Sequence, residues 1–185
     1  MKSLILCEGK HDKDFLESLI KHIGDKYIGY IDIEKIGNKS SFFKIETYEQ
    51  KQLIQRVKLL YKKVLFVVDS DYKENDKVYG GYKNTEDNIK NIIKKLDLND
   101  KADYYIMCEP LSKNGYLESF LLSTLDDVQK KCIENFLKCS EFKEKENHKA
   151  IVHQIYKTGY PNKSFDFSHN NFNELKEKIQ NLIRE

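Results

Sequence analysis

The sequence predicts an α/β fold: a mainly parallel, Rossmann-like sheet flanked by helices, followed by a helix-rich C-terminal part. Three observations predict it. Short apolar runs rich in β-formers recur at Leu4–Cys7, Val64–Val68 and Tyr104–Cys108, which is how strands buried on both faces read. Stretches with apolar residues gathered on one helical face lie between these runs, the alternation that βαβ crossovers require. Each run also reaches an acidic residue at once, in Glu8, Asp69 and Glu109.

In chain order, the first run leads into a helix predicted over Asp12–Ile23, with Phe15, Leu16, Leu19, Ile20 and Ile23 on one face and Lys13, Glu17 and Lys21 toward water. Tyr30–Ile36 alternates apolar and polar residues before the turn Gly37-Asn38-Lys39-Ser40, which suits an edge strand. Helices follow over Tyr48–Lys62, carried by Leu53, Val57, Leu60 and Tyr61, and over Asn84–Leu96, carried by Ile89, Ile92, Ile93 and Leu96. After Pro110 the strand signal fades. Tyr116–Thr124, Asp126–Lys138, Asn147–Lys157 and Phe172–Arg184 read as helical, Gly159-Tyr160-Pro161-Asn162 as a break, and Phe165 with Phe167 as a short extended piece. A single domain over residues 1–185 is expected, with a core at about 3–110 and a helical extension at about 111–185.

Composition narrows the function classes. The 32 basic residues nearly cancel the 30 acidic ones, so net charge gives no argument for a nucleic-acid partner and function has to come from sites. The apolar runs are too short to cross a bilayer, and the first enters a strand without a signal-peptide pattern, so a cytoplasmic protein with no membrane partner is expected. Cys7, Cys108, Cys132 and Cys139 lie far apart, without C-x-x-C or zinc-finger spacing, and reduced, mostly buried thiols are expected.

In a parallel α/β sheet, ligands bind beyond the carboxyl ends of the strands, so the residues just after each apolar run are the candidates. They are Glu8-Gly9-Lys10-His11-Asp12, Asp69-Ser70-Asp71, and Glu109 before Pro110. Two carboxylates about 4 Å apart repel by roughly 4 kcal/mol at an effective dielectric near 20, and a divalent cation is the natural remedy. All-oxygen ligation favours Mg²⁺, Mn²⁺ or Ca²⁺ over zinc. Asp69 and Asp71 share a side only if the chain stays extended through Ser70. Asp12 also suits the N-cap of the following helix, Glu109 reads as a loop residue and His11 as a solvent-facing one.

The strand ending in Glu8-Gly9-x-x-Asp12, with a later strand ending in Asp69-x-Asp71, resembles the Toprim signature found in topoisomerases, bacterial primases, small ribonucleases and OLD-type nucleases. The likeness covers roughly residues 3–110. It implies a Toprim-like metal core with Mg²⁺ or Mn²⁺ as cofactor, and metal-dependent phosphodiester cleavage on nucleic acid, possible alone, as a homodimer or with a partner ATPase. Asp69, Asp71 and Asp12 would be metal ligands, and Glu8 a ligand or general acid/base. Gly115-Tyr116-Leu117-Glu118 is similar to a downstream element of Toprim-related proteins, which makes Glu118 a further candidate ligand, and Lys149 stands where such relatives carry a basic residue that stabilises phosphate charge. Gly9 would permit a sharp turn beside the site, and Lys10 and Lys73 would meet phosphates. Lys73, Lys77 and Lys83 with Tyr79, Tyr82, Gly80 and Gly81 read either as a surface loop or as a single-strand guide.

The chain lacks room for the domain carrying a topoisomerase's strand-cutting tyrosine, and for a primase's template-handling parts. A non-catalytic, metal-dependent module that binds nucleic acid or a nucleotide is the alternative. Haloacid-dehalogenase-type phosphatases and glycosyltransferases also use Asp-x-Asp, but Tyr72-Lys73-Glu74 follows it here and neither accounts for Glu8-Gly9-x-x-Asp12. A Walker loop is set aside because Gly37-Asn38-Lys39-Ser40 lacks a contiguous Gly-Lys and Asp32 stands at the first glycine position.

Overall fold

A computed structural model describes residues 1–140, 153–156 and 165–184. The chain forms a four-stranded parallel sheet in the order β2-β1-β3-β4, built from β1 (Lys2–Cys7), β2 (Ile31–Lys35), β3 (Tyr61–Asp69) and β4 (Ala102–Met107). Helix α1 (Lys10–Ile23) joins β1 to β2. Helices α2 (Lys39–Phe42), α3 (Ile45–Gln50) and α4 (Leu53–Leu60) lead to β3, and α5 (Tyr82–Lys95) leads to β4. Beyond the sheet lie α6 (Leu117–Leu122), α7 (Asp127–Cys139) and α8 (Asn173–Asn181). This is the Rossmann-like α/β architecture expected, with the Tyr30–Ile36 segment at an edge.

Strand alternation sorts the core into two layers. Ile5, Cys7, Leu65, Val67, Tyr105 and Met107 face α1, α6 and α8, whereas Leu4, Leu6, Val64, Phe66, Val68 and Ile106 face α2 to α5. Right-handed crossovers dictate this split: the step from β1 to β2 runs one way along the sheet, and the steps to β3 and β4 run the other way. The direction therefore reverses between β1 and β3, and Glu8 and Asp69 follow or end those two strands.

The C-terminal helix closes the first layer. Leu175, Ile179 and Leu182 are buried with Ile5 and Leu65, and Phe172 meets the rings of Phe15, Phe120 and Phe167 at 6.1, 5.0 and 5.4 Å. Ser3 Oγ donates to the carbonyl of Leu182.

Local differences from expectation have physical causes. The helix predicted over Tyr48–Lys62 is two helices, broken where Gln52 takes a left-handed φ of 52°, and Tyr61 and Lys62 open β3 instead. The turn after β2 contains α2, capped by Asn38, whose side chain accepts from Ser41 N. Phe165 and Phe167 form a tight turn, Phe167 N donating to Phe165 O at 2.9 Å, and both pack on Phe15. Cys7 and Cys108 are buried as expected, but Cys132 and Cys139 are exposed on α7. The predicted Gly159–Asn162 break and all but residues 153–156 of the Asn147–Lys157 helix lie outside the described residues. No helix among the described residues is long and apolar enough to cross a membrane.

Candidate functional site

The carboxyl ends of β1 and β3 lie side by side, Cys7 pairing with Val67. Beyond them Glu8 crosses to β3: its Oε1 accepts from Asp69 N at 3.0 Å. Asp69 is 2 % exposed, and its Oδ1 accepts from Leu117 N at 3.0 Å, which brings the start of α6 against the strand ends. The two acidic motifs, separated by some 60 residues of chain, thus meet at the switch point of the sheet.

Asp71 does not continue the strand. β3 ends at Asp69, and Asp71 adopts φ 59°, a left-handed conformation that Asp tolerates better than most residues. It is held there by an antiparallel bridge to Gly115, with Asp71 N donating to Gly115 O at 2.7 Å and Gly115 N to Asp71 O at 3.2 Å. Ser70 N still donates to Met107 O of β4 at 2.7 Å, so the left-handed conformation falls on Asp71 itself. Gly115 has φ 99°, and a Cβ there would lie 2.6 Å from Ser119 Cβ, so the bridge requires glycine.

The residue that sequence reasoning missed is Lys39. It is 7 % exposed, and its ammonium donates to Asp69 O at 2.6 Å and Ser70 O at 2.7 Å while pairing with Asp71 Oδ2 at 2.9 Å. A buried lysine so placed neutralises part of the acidic centre and ties α2 to the end of β3. The available signal was positional: Lys39 follows strand β2, at the same edge of the sheet as Glu8 and Asp69.

The other expected site residues fall as follows. Gly9 is the N-cap of α1, and its N–H donates to Asp12 Oδ2 at 2.7 Å. Asp12 is thus the third residue of the helix rather than its N-cap, closing the first turn as a capping-box carboxylate does. A Cβ at Gly9 would stand 3.3 Å from that carboxylate. Lys10 and Lys73 are exposed, and Lys149 lies outside the described residues. The segment after Asp71 is folded back on itself: Gly81 N donates to Ser70 O at 2.9 Å, Asp76 Oδ1 accepts from Val78 N and Tyr79 N, and Tyr79 packs on Phe43. Gly80 permits this return, since a Cβ there would lie 2.6 Å from the carbonyls of Asp76 and Tyr72.

Glu109 organises the next loop, accepting from Leu111 N at 3.0 Å and Ser112 N at 2.6 Å. Burial pushes its carboxyl up, but these donors outweigh it and hold the group below the usual range.

Glu118, in α6, is 3 % exposed. Its Oε1 lies 2.8 Å from Nδ1 of His153, and its Oε2 has no hydrogen-bond partner among the described residues. His11, exposed in the first turn of α1, stacks on the ring of His153 with centroids 4.6 Å apart.

The acidic centre can be tested against a hard divalent ion by its donors. Glu8, Asp69 and Asp71 offer carboxylate oxygen, the ligand type Mg²⁺ and Mn²⁺ prefer. Oδ2 of Asp71 is held by Lys39 at 2.9 Å, and among the described residues the three ligating side chains whose donor atoms lie within 4.8 Å of one another are His11, Glu118 and His153 rather than these carboxylates.

A family model described as "Protein of unknown function (DUF3226)" matches residues 2–184, and the chain belongs to that family. No curated protein and no solved structure matches it.

Proposed function

We propose that this DUF3226 member is a Toprim-like, Mg²⁺- or Mn²⁺-dependent phosphodiesterase acting on nucleic acid, with Glu8, Asp69 and Asp71 as its acidic centre. The observation that carries the reading is the approach of Glu8 to Asp69 across the switch point, Glu8 Oε1 accepting from Asp69 N at 3.0 Å. Open parallel sheets bind their ligands at that place. An ion held by Asp69 and Asp71, with Asp12 and Glu118 as further candidate ligands, would polarise the scissile phosphate and lower the pKa of bound water.

The chain's own groups divide the remaining work. Glu8, half-buried at the strand end, is the general acid/base for the proton of the attacking water or the leaving oxygen. Lys39 offsets the negative charge of the centre while no ion is bound. Lys10 and Lys73, both exposed, meet the phosphates flanking the cut, and Lys149 is a third candidate for that charge. Gly9, next to Glu8, leaves room for the Asp12 carboxylate, from which a Cβ would stand 3.3 Å, and its extended backbone (φ −122°) makes no sharp turn.

The test is cleavage of single- and double-stranded DNA and RNA in Mg²⁺ and Mn²⁺ by the wild type and by Asp69→Asn, which keeps the acceptor for Leu117 N. Metal-dependent cutting that Asp69→Asn lowers at least a hundredfold supports the reading. Cutting that survives the substitution overturns the assignment of the centre, and absence of cutting on all four substrates overturns the activity.

One observation favours a second reading, a metal-dependent binding module without turnover. The Lys39–Asp71 pair offsets one of the three carboxylates of the centre and leaves a cationic group beside it, which suits a pocket that recognises a nucleic-acid end or nucleotide. Mg²⁺-dependent retention of an oligonucleotide without cleavage would select it.

A further inference from the structure

The Glu118 cluster has a different chemistry from the acidic centre. His11 comes from α1, Glu118 from α6 and His153 from the helical turn at residues 153–156. One donor atom from each lies within 4.8 Å of the others. Glu118 is 3 % exposed, and its Oε2 is buried with no hydrogen-bond partner among the described residues. A buried carboxylate oxygen with no donor is costly unless something not yet counted satisfies it.

We infer that His11, Glu118 and His153 form a binding site for a divalent ion of borderline softness, of which Zn²⁺ is the type. Two imidazoles and one carboxylate are a ligand set that zinc accepts, leaving a fourth position open, whereas Mg²⁺ prefers oxygen alone. At zinc bond lengths of about 2.0–2.2 Å, donors on a tetrahedral ion stand roughly 3.3 Å apart. The 2.8 Å contact between Glu118 Oε1 and His153 Nδ1 has only to open slightly to admit the ion. The rings of His11 and His153 lie 3° from parallel, and parallel rings cannot both direct in-plane lone pairs at one ion. His11, on the exposed side, turns about its broad χ2 torsion to complete the set. The site shares only Glu118 with the residues proposed above for Mg²⁺, and it does not depend on nuclease activity.

The experiment uses the full chain with Cys132 and Cys139 replaced by serine, so that exposed thiols do not capture the ion. Chelator-stripped protein is titrated with Co²⁺, read by its visible absorption, and with Zn²⁺, read by calorimetry, in the presence of excess Mg²⁺. One ion per chain is expected, with His11→Ala and His153→Ala each weakening Zn²⁺ binding at least tenfold and Asp69→Asn leaving it unchanged. His11 is exposed, so His11→Ala tests the site even if Glu118→Gln fails to fold. Unchanged binding in His11→Ala and His153→Ala, loss of binding in Asp69→Asn with the histidine variants intact, or no stoichiometric binding overturns the inference. The failure of the Mg²⁺ reading would show instead as absence of cleavage, with Zn²⁺ affinity untouched.

Discussion

Lys39 Nζ stands 2.9 Å from Asp71 Oδ2 and donates to the carbonyls of Asp69 and Ser70, so one ammonium holds both aspartate positions of the second acidic motif. Removing it leaves two carbonyls and a carboxylate without that partner. Lys39→Met is expected to lower stability by about 3 kcal/mol, the cost of breaking a largely buried pair, measured by urea unfolding without added metal. A loss below about 1 kcal/mol would show that the pair is solvent-screened and does not hold the motif.

Gly115 and Asp71 form the bridge that turns the chain away from β3. Gly115→Ala places a Cβ 2.6 Å from Ser119 Cβ at a φ of 99°, and about 1–3 kcal/mol of destabilisation is expected. Because the strain falls beside Asp71, Mg²⁺ should stabilise this variant less than it stabilises the wild type. Equal thermal shifts for the two proteins would separate the turn from the metal centre.

Phe172 is fully buried against Phe15, Phe120 and Phe167. Phe172→Ala is expected to cost about 3–5 kcal/mol in a single cooperative unfolding transition. Loss of α8 contacts alone, with the sheet transition unmoved, would mean that the C-terminal helix is an independent unit.

Burial pushes the Cys108 thiol up to about 11, and Tyr105 and Tyr48 are raised by the same cause. These acids hold their protons more tightly folded than unfolded. Their stabilising contribution is complete below the unfolded thiol value, near 8.5–9, and is lost as pH rises toward the folded values, where unfolding releases protons. Stability should therefore fall between pH 8.5 and pH 11, checked by urea midpoints. At pH 8, alkylation should reach Cys132 and Cys139 and spare Cys7 and Cys108 until the protein unfolds.

The sheet was legible because its strands are buried on both faces: a run such as Val64–Val68 cannot be mistaken for a solvated segment. The position of Glu8 and Asp69 followed, since in this architecture strand ends and ligand sites coincide. Lys39 was not legible. A lysine in a polar turn looks solvated, and only the crossing of α2 over the end of β3 buries it. The left-handed turn at Asp71 depends on Gly115, and the meeting of His11 with His153 on a separation of 142 residues; local periodicity carries no trace of either. The split at Gln52 was hidden for another reason, because Leu53 and Val57 keep helical spacing on the far side of the break.

The bond from Ser3 to Leu182 joins residues 179 positions apart. As the chain leaves the ribosome, β1 and β3 can pair long before α8 exists, and until then Ile5, Leu65 and Leu16 lack the side chains of Leu175, Ile179 and Leu182. Closing a loop of that length rather than a tenth of it costs only about 2 kcal/mol more in chain entropy, so the delay is one of synthesis more than of search. During that interval the nascent protein carries an open apolar face, the kind of surface chaperones cover.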